Sequence, residues 1–228
     1  MPTTPHCARS RFRGDPGGAG ARPRDKRMEL QDVIRKRKMV RSFEDRPIRR
    51  ELVDRILANA QKAPSAGFSQ GWAFLVLEGK TETARYWDAL WPEPRRSEFG
   101  WPDFFNAPVL VVCLSHKLQY LRRYSLPDKG WTDLDERRWP VPYWDIDTGM
   151  AAMLMLLTAM DLGLGACFFG VQDHELFRRT FAVPAEFTPI GTIAIGYAKS
   201  PDRLSPSLRL GHRPTADVVH RGGWSASS

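Results

Sequence analysis

Cysteine is scarce in this sequence. Three occur in 228 residues, Cys7, Cys113 and Cys167, none of them in a C-x-x-C pair or beside a histidine at ligand spacing. A disulfide framework and a zinc site are therefore unsupported, and reduced thiols suit a cytoplasmic protein. Long apolar runs are missing too. The longest, Gly149 to Met160, falls short of the roughly 18 residues that span a bilayer, so no membrane partner is expected. Residues 1–27 lack the apolar stretch of a signal peptide. No G-x-S-x-G, P-loop or H-E-x-x-H occurs, and the carboxylates are too scattered to nominate a glycosidase pair. What the chain does have is 42% hydrophobic and 26% charged residues, enough for one globular domain with a sizeable core.

The net charge of +8 is unevenly placed: seven of the 34 basic residues and two of the 26 acidic ones fall in residues 1–27, which carry +5 of it. This Arg-, Pro- and Gly-rich arm has one large apolar residue, Phe12, and cannot offset the entropy of ordering. It reads as a disordered basic arm. The alternatives are an upstream extension of a frame starting at Met28, or a nucleic-acid arm. No aromatic or Gly-rich repeat accompanies its arginines, so no nucleic-acid partner is expected. Residues 28–228 form the folded domain.

Along that domain, apolar spacing predicts helices over 28–37, 52–60, 80–90 and 145–162, and over 173–181 with Asp173 as N-cap. Apolar runs predict strands over 72–77, 108–114, 166–171 and 189–198. Residues 115–144 read as irregular. Interleaved helices and strands suggest a mixed sheet layered with helices.

Four segments could carry chemistry. In Arg35-Lys36-Arg37-Lys38-Met39-Val40-Arg41, Arg37 and Arg41 share a face whether the backbone is helical or extended, and two guanidinium groups suit one phosphate; the alternative is a solvated basic face. Ala63 to Trp72 (APSAGFSQGW) joins a helix to a strand with small and hydrogen-bonding residues, so it is either a ligand turn or an ordinary connection. Gly163-Leu164-Gly165-Ala166-Cys167-Phe168-Phe169-Gly170 follows a helix and precedes a strand, the wrong order for a dinucleotide fingerprint. Its glycines read as a helix C-cap, with Phe168, Phe169 and Gly170 free to line a flat ring. Arg209 to Pro214 brings further arginines late in the chain.

Together these segments resemble the FMN-dependent nitroreductase family. The family pattern R-R-S-x-R-x-F is matched by Arg37-Lys38-Met39-Val40-Arg41-Ser42-Phe43, and A-P-S-x-x-N-x-Q-P-W by Ala63 to Trp72; the G-L-G, I-G-Y and R-x-P features are matched at Gly163, Ile195 and Arg213. Met39 stands where Ser is usual, Phe68 where Asn is common and Gly71 where Pro is usual. The resemblance implies an α+β fold with a central mixed sheet flanked by helices. It also implies a homodimer with flavin at the subunit interface.

The same resemblance implies that Arg37, Lys38 and Arg41 bind the phosphate and ribityl chain of FMN, with Arg213 arriving late in the chain, and that Met39 is a further cofactor-binding position, without the hydroxyl that the usual Ser offers the flavin. Pro64, Ser65 and Ala66 would line the ring, Phe68 or Gln70 would act across the interface, and Phe168, Phe169 and Gly170 would cover the other side. The implied activity is passage of a hydride from NADH or NADPH to a nitroaromatic, quinone or enone. The G-F-x-Q wording is also similar to a flavin-fragmenting dimethylbenzimidazole synthase branch, and a non-catalytic flavin-binding protein is the remaining alternative. No residue is nominated as acid or base. Four large aromatics, Trp131, Trp139, Tyr143 and Trp144, crowd the irregular segment, and Trp139 and Trp144 are expected to stack on a small planar substrate or to pack against a dimer partner.

Overall fold

The computed structural model describes residues 28–224. Its helices are α1 (Leu30–Lys36), α2 (Arg50–Ala60), α3 (Gly79–Leu90), α4 (Arg95–Glu98), α5 (Lys117–Tyr124), α6 (Tyr143–Asp161) and α7 (His174–Phe181), and its strands are β1 (Trp72–Glu78), β2 (Val109–Ser115), β3 (Gly165–Phe169) and β4 (Thr188–Gly196). The basic arm, 1–27, lies outside the described residues.

The four strands form one sheet in the order β1-β2-β4-β3, and every neighbouring pair is antiparallel, with Trp72 opposite Ser115, Val109 opposite Ile195 and Gly165 opposite Gly196. The expected layering of sheet and helices stands. The parallel part of the expected mixed sheet shrinks to one isolated bridge, Met39 to Ala166. A sheet covered on both faces explains why its strands read as continuous apolar runs instead of alternating ones.

Alternation along β2 divides the core. Val109, Val111 and Cys113 face a cluster with Val53, Ile56, Ala151, Met155 and Ala159 from α2 and α6. Leu110, Val112 and Leu114 face an aromatic cluster with Tyr86, Trp87 and Leu90 of α3, Phe104, and Phe177 of α7. Each fully buried Val, Ile or Phe contributes roughly 1.5–3 kcal/mol, so these two layers hold the sheet between helices.

The ends of the helices follow ordinary chemistry. Asp173 caps α7 by accepting the Leu176 N–H at 2.8 Å. The stretch 115–144 is less irregular than its sequence suggests, because α5 occupies Lys117–Tyr124. Its apolar face is only two turns long and is fixed by burial of Tyr120 and Leu121, so periodicity alone gives a weak signal.

Candidate active site

The segment following α1 leaves the helix at Arg37 and runs along the edge of β3. There Val40 donates its N–H to the Ala166 carbonyl at 3.0 Å, and the Phe168 N–H points to Met39 Sδ at 3.5 Å. This edge pairing sets out Arg37, Lys38 and Arg41 in an extended register. Arg37 is half-buried and lines a small cleft with Leu156 and Met160 of α6. Its guanidinium has no hydrogen-bond or ion-pair partner among the described residues.

Lys38 and Arg41 have a partner that sequence reasoning missed. Asp202, whose side chain is only 4% exposed, lies 3.3 Å from Lys38 Nζ and accepts the Arg41 backbone N–H at 3.2 Å. The Arg41 guanidinium also sits 5.5 Å from the centre of the Trp101 ring, and that ring is approached by Arg203 at 4.6 Å. One carboxylate against three cations leaves the segment with two net positive charges.

The second motif forms a tight turn at the start of β1. Ser65 Oγ accepts the Gln70 N–H at 3.0 Å, and Ser69 Oγ donates to the Ala66 carbonyl at 2.6 Å. Gly67, Phe68 and Gln70 have φ of 60°, 57° and 50°, with Ser69 right-handed between the last two, and the left-handed conformation is costly for the two that are not glycine. The strain is held by neighbours. Buried Asp147 on α6 accepts the Ala66 N–H at 2.9 Å and the Tyr120 hydroxyl at 2.8 Å, and Arg123 Nε donates to the Gly67 carbonyl at 2.8 Å. Burial and the bond to Asp147 push the Tyr120 hydroxyl well above the ordinary phenol range. Phe68 is left 75% exposed.

Gly71 has a local reason. A Cβ there would meet the Tyr120 ring at 2.3 Å, so the position next to this ring has room only for glycine.

The structure therefore gathers the motif residues into two groups near opposite ends of α6. Pro64, Ser65, Ala66, Phe68 and Gln70 sit by Asp147, and Arg37 sits by Met160. The thirteen helical steps from Asp147 to Met160 correspond to about 20 Å. Phe168 and Phe169 part company. Successive strand residues face opposite ways, so Phe168 packs with the α2/α6 layer and Phe169 with the aromatic layer, stacked 5.7 Å from Trp87. The two side chains therefore leave β3 on opposite faces of the sheet. Gly170, just after β3, is exposed. Arg213 bonds within its own segment, to the Asp217 carbonyl at 3.0 Å; no contact ties it to Arg37 among the described residues.

Trp139 is half-buried against Tyr124 at 4.5 Å, Trp131 at 5.6 Å and Tyr120 at 5.9 Å, and Trp144 lies 6.3 Å from Tyr120. These rings back α5 and thus the turn at Ser65–Gln70. Asp147 did leave a signal: a carboxylate within an apolar helix needs a partner. Asp202 and Tyr120 left none.

A model of the nitroreductase family matches residues 34–197. The chain belongs to the nitroreductase family. A Methanothermobacter thermautotrophicus protein, provisionally named NADH dehydrogenase/NAD(P)H nitroreductase, is 29% identical over 203 residues, covering 87% of this chain and 89% of that protein. Among solved structures, an FMN-dependent nitroreductase from Clostridium difficile R20291 superposes with a TM-score of 0.60 at 22% identity over 85% of this chain and 99% of its own. A nitroreductase family protein from Streptococcus pneumoniae TIGR4 gives 0.65 at 19% identity, over 85% and 100%. At such identities the likeness is one of fold. The family match spans both motif segments and all four strands.

Proposed function

We propose that this nitroreductase-like oxidoreductase is FMN-dependent, takes reducing equivalents from NADH or NADPH, and passes them to a nitroaromatic, quinone or enone acceptor. The observation that carries the proposal is the division of the motif residues between the two ends of α6. Along the same helix, Ile146, Met150 and Met153 are exposed at helical spacing, and Leu30 and Ile34 of α1 are exposed as well. Such a stripe calls for a partner, and α6 is apolar enough to be covered on every side. A second copy related by a two-fold axis across this stripe would lay its α6 antiparallel to the first. The Ser65 turn of one copy would then lie beside Arg37 of the other, completing two equivalent sites.

The residues present fit FMN. Two net positive charges on the Arg37–Arg41 segment match a phosphate monoester, and Arg37 offers its fork of donors unspent. Ser65, whose oxygen already accepts from Gln70, keeps its hydroxyl proton for a ring heteroatom. Phe68 presents an exposed flat surface at the rim. When bound, FMN supplies the two-electron redox chemistry. The chain's part is to grip the anionic end, to hold the turn rigid through Asp147 and Tyr120, and to exclude water with the apolar α6 stripe.

The test is the visible spectrum of the purified chain, followed by acceptor-dependent oxidation of NADH and NADPH. Flavin bands and turnover with a nitroaromatic or menadione are expected. A preparation that stays colourless after incubation with FMN ends the proposal. Exposure of the anaerobically reduced protein to oxygen separates it from the flavin-fragmenting alternative: reoxidation to yellow FMN is expected, and a benzimidazole product would favour the synthase reading.

A further inference from the structure

A cavity of about 400 Å³ opens between α3 and the turn at 102–106, and it shares no residue with the two motif segments. The volume is in the range of small-molecule sites. Its floor is apolar, made by Pro47, Ala84, Trp87 and Phe105. Its rim is cationic: Arg46, Lys80 and Arg96 line it against a single carboxylate, Asp45. Each of the three is paired at the surface, Arg46 with Glu44 at 3.9 Å, Lys80 with Asp45 at 2.6 Å and Arg96 with Asp88 at 2.9 Å; exposed pairs of this kind are weak enough for an incoming anion to compete for the cations. The first turn of α3, Gly79 and Lys80, also lines the cavity, and a helix of 12 residues presents its positive end there.

Trp87 adds an independent observation. It is 2% exposed, and its Nε1–H has no hydrogen-bond acceptor. Buried donors are almost always paired, so Trp87, a lining residue of the cavity, keeps in its buried edge a donor left unused among the described residues. Trp87 meets Phe105 edge-on at 5.1 Å. A ligand that parts those rings would bring an acceptor to the orphaned donor.

We infer that this cavity is a second ligand site, for a small aromatic anion such as an aryl carboxylate or sulfonate. The flat apolar body would lie on Trp87 and Phe105, and the anionic group would sit between Lys80, Arg96 and the start of α3. The inference does not depend on FMN binding, since the cavity is built by other residues.

Calorimetric titration of the full chain with 1-naphthalenesulfonate, with and without excess FMN, tests it. One saturable site per chain is expected, unchanged by FMN, with a dissociation constant in the ~10 μM to ~1 mM range. Ala84 is exposed on α3, so Ala84→Trp would fill the cavity without disturbing the core. It is expected to weaken binding by about tenfold or more, Lys80→Gln by about threefold, and the neutral 1-naphthalenemethanol should bind about tenfold more weakly than the sulfonate. The melting temperature of each variant serves as the folding control. Absence of saturable binding, binding indifferent to Ala84→Trp, or displacement of the probe by FMN would each overturn the assignment.

Discussion

Ala66 donates its backbone N–H to Asp147 across 81 positions of sequence. The bond fastens the turn of the second motif to α6, and the same carboxylate takes the Tyr120 hydroxyl. Tyr120→Phe removes one partner and leaves the other, and should cost about 1–2 kcal/mol. Asp147→Ala leaves two buried donors unpaired and should cost about 3 kcal/mol or more. In urea denaturation the double variant should fall short of the sum of the single ones; strict additivity would show that the two bonds do not act as a unit.

Among the described residues the Arg37 guanidinium has no partner to lose. Arg37→Gln should leave the melting temperature within a degree or so of the parent, while FMN affinity falls about ten- to a hundredfold, as expected for loss of a charge-assisted bond to phosphate. Fluorescence titration of FMN reads the affinity. Equal affinity in the variant would remove Arg37 from the phosphate site.

Asp202 opposes that charge. Asp202→Asn keeps an oxygen to accept the Arg41 N–H but removes the anion beside Lys38. FMN should then bind about three- to tenfold more tightly at low salt, with a steeper salt dependence. Weaker binding would mean that Asp202 chiefly holds the basic segment in shape.

Alkaline pH should loosen the fold. Burial pushes Tyr86 from 10.0 up to about 12, Cys113 from 9.0 to about 12 and Cys167 from 9.0 to about 11. In each case the folded state favours the protonated form, so the contribution is complete below the unfolded value and is lost as pH rises toward the folded one. Melting temperature should hold up to pH 9 and decline steadily from there to pH 11. Cys113→Val should decline less steeply; an identical profile would exclude Cys113 as a contributor.

The Trp139 ring touches Tyr120 and Tyr124, which back the turn at Gly67 and Gly71. Trp139→Ala should therefore lower the melting temperature by several degrees, reflecting about 2–3 kcal/mol of lost packing, and should weaken FMN binding along with it. A stable variant with only the acceptor KM raised would instead restore Trp139 to a substrate-stacking role.

The helices and strands were readable because period-3.6 and unbroken apolar segments are local properties. Leu52 to Ala60 and Val109 to Leu114 show their partners in their own spacing. The two motif segments were readable for a similar reason, since Arg37 to Arg41 and Pro64 to Gln70 are short and contiguous. What escaped was the relation between distant positions. Asp202 meets Arg41 from 161 residues away, and nothing near either residue announces it. Alternation along β3 was in principle legible, because Phe168 and Phe169 are adjacent in a strand. The α3 cavity has no linear signature, as its floor comes from Pro47, Ala84, Trp87 and Phe105.

The tie between Asp202 and the Arg37–Arg41 segment also joins the two margins of the folded region. All four strands end by Gly196, so a chain shortened just beyond that residue would retain its sheet while shedding Asp202, the anion that among the described residues tempers its basic edge. Architecture and ligand grip are thus encoded in separable stretches, and trimming the tail would retune the second without rewriting the first.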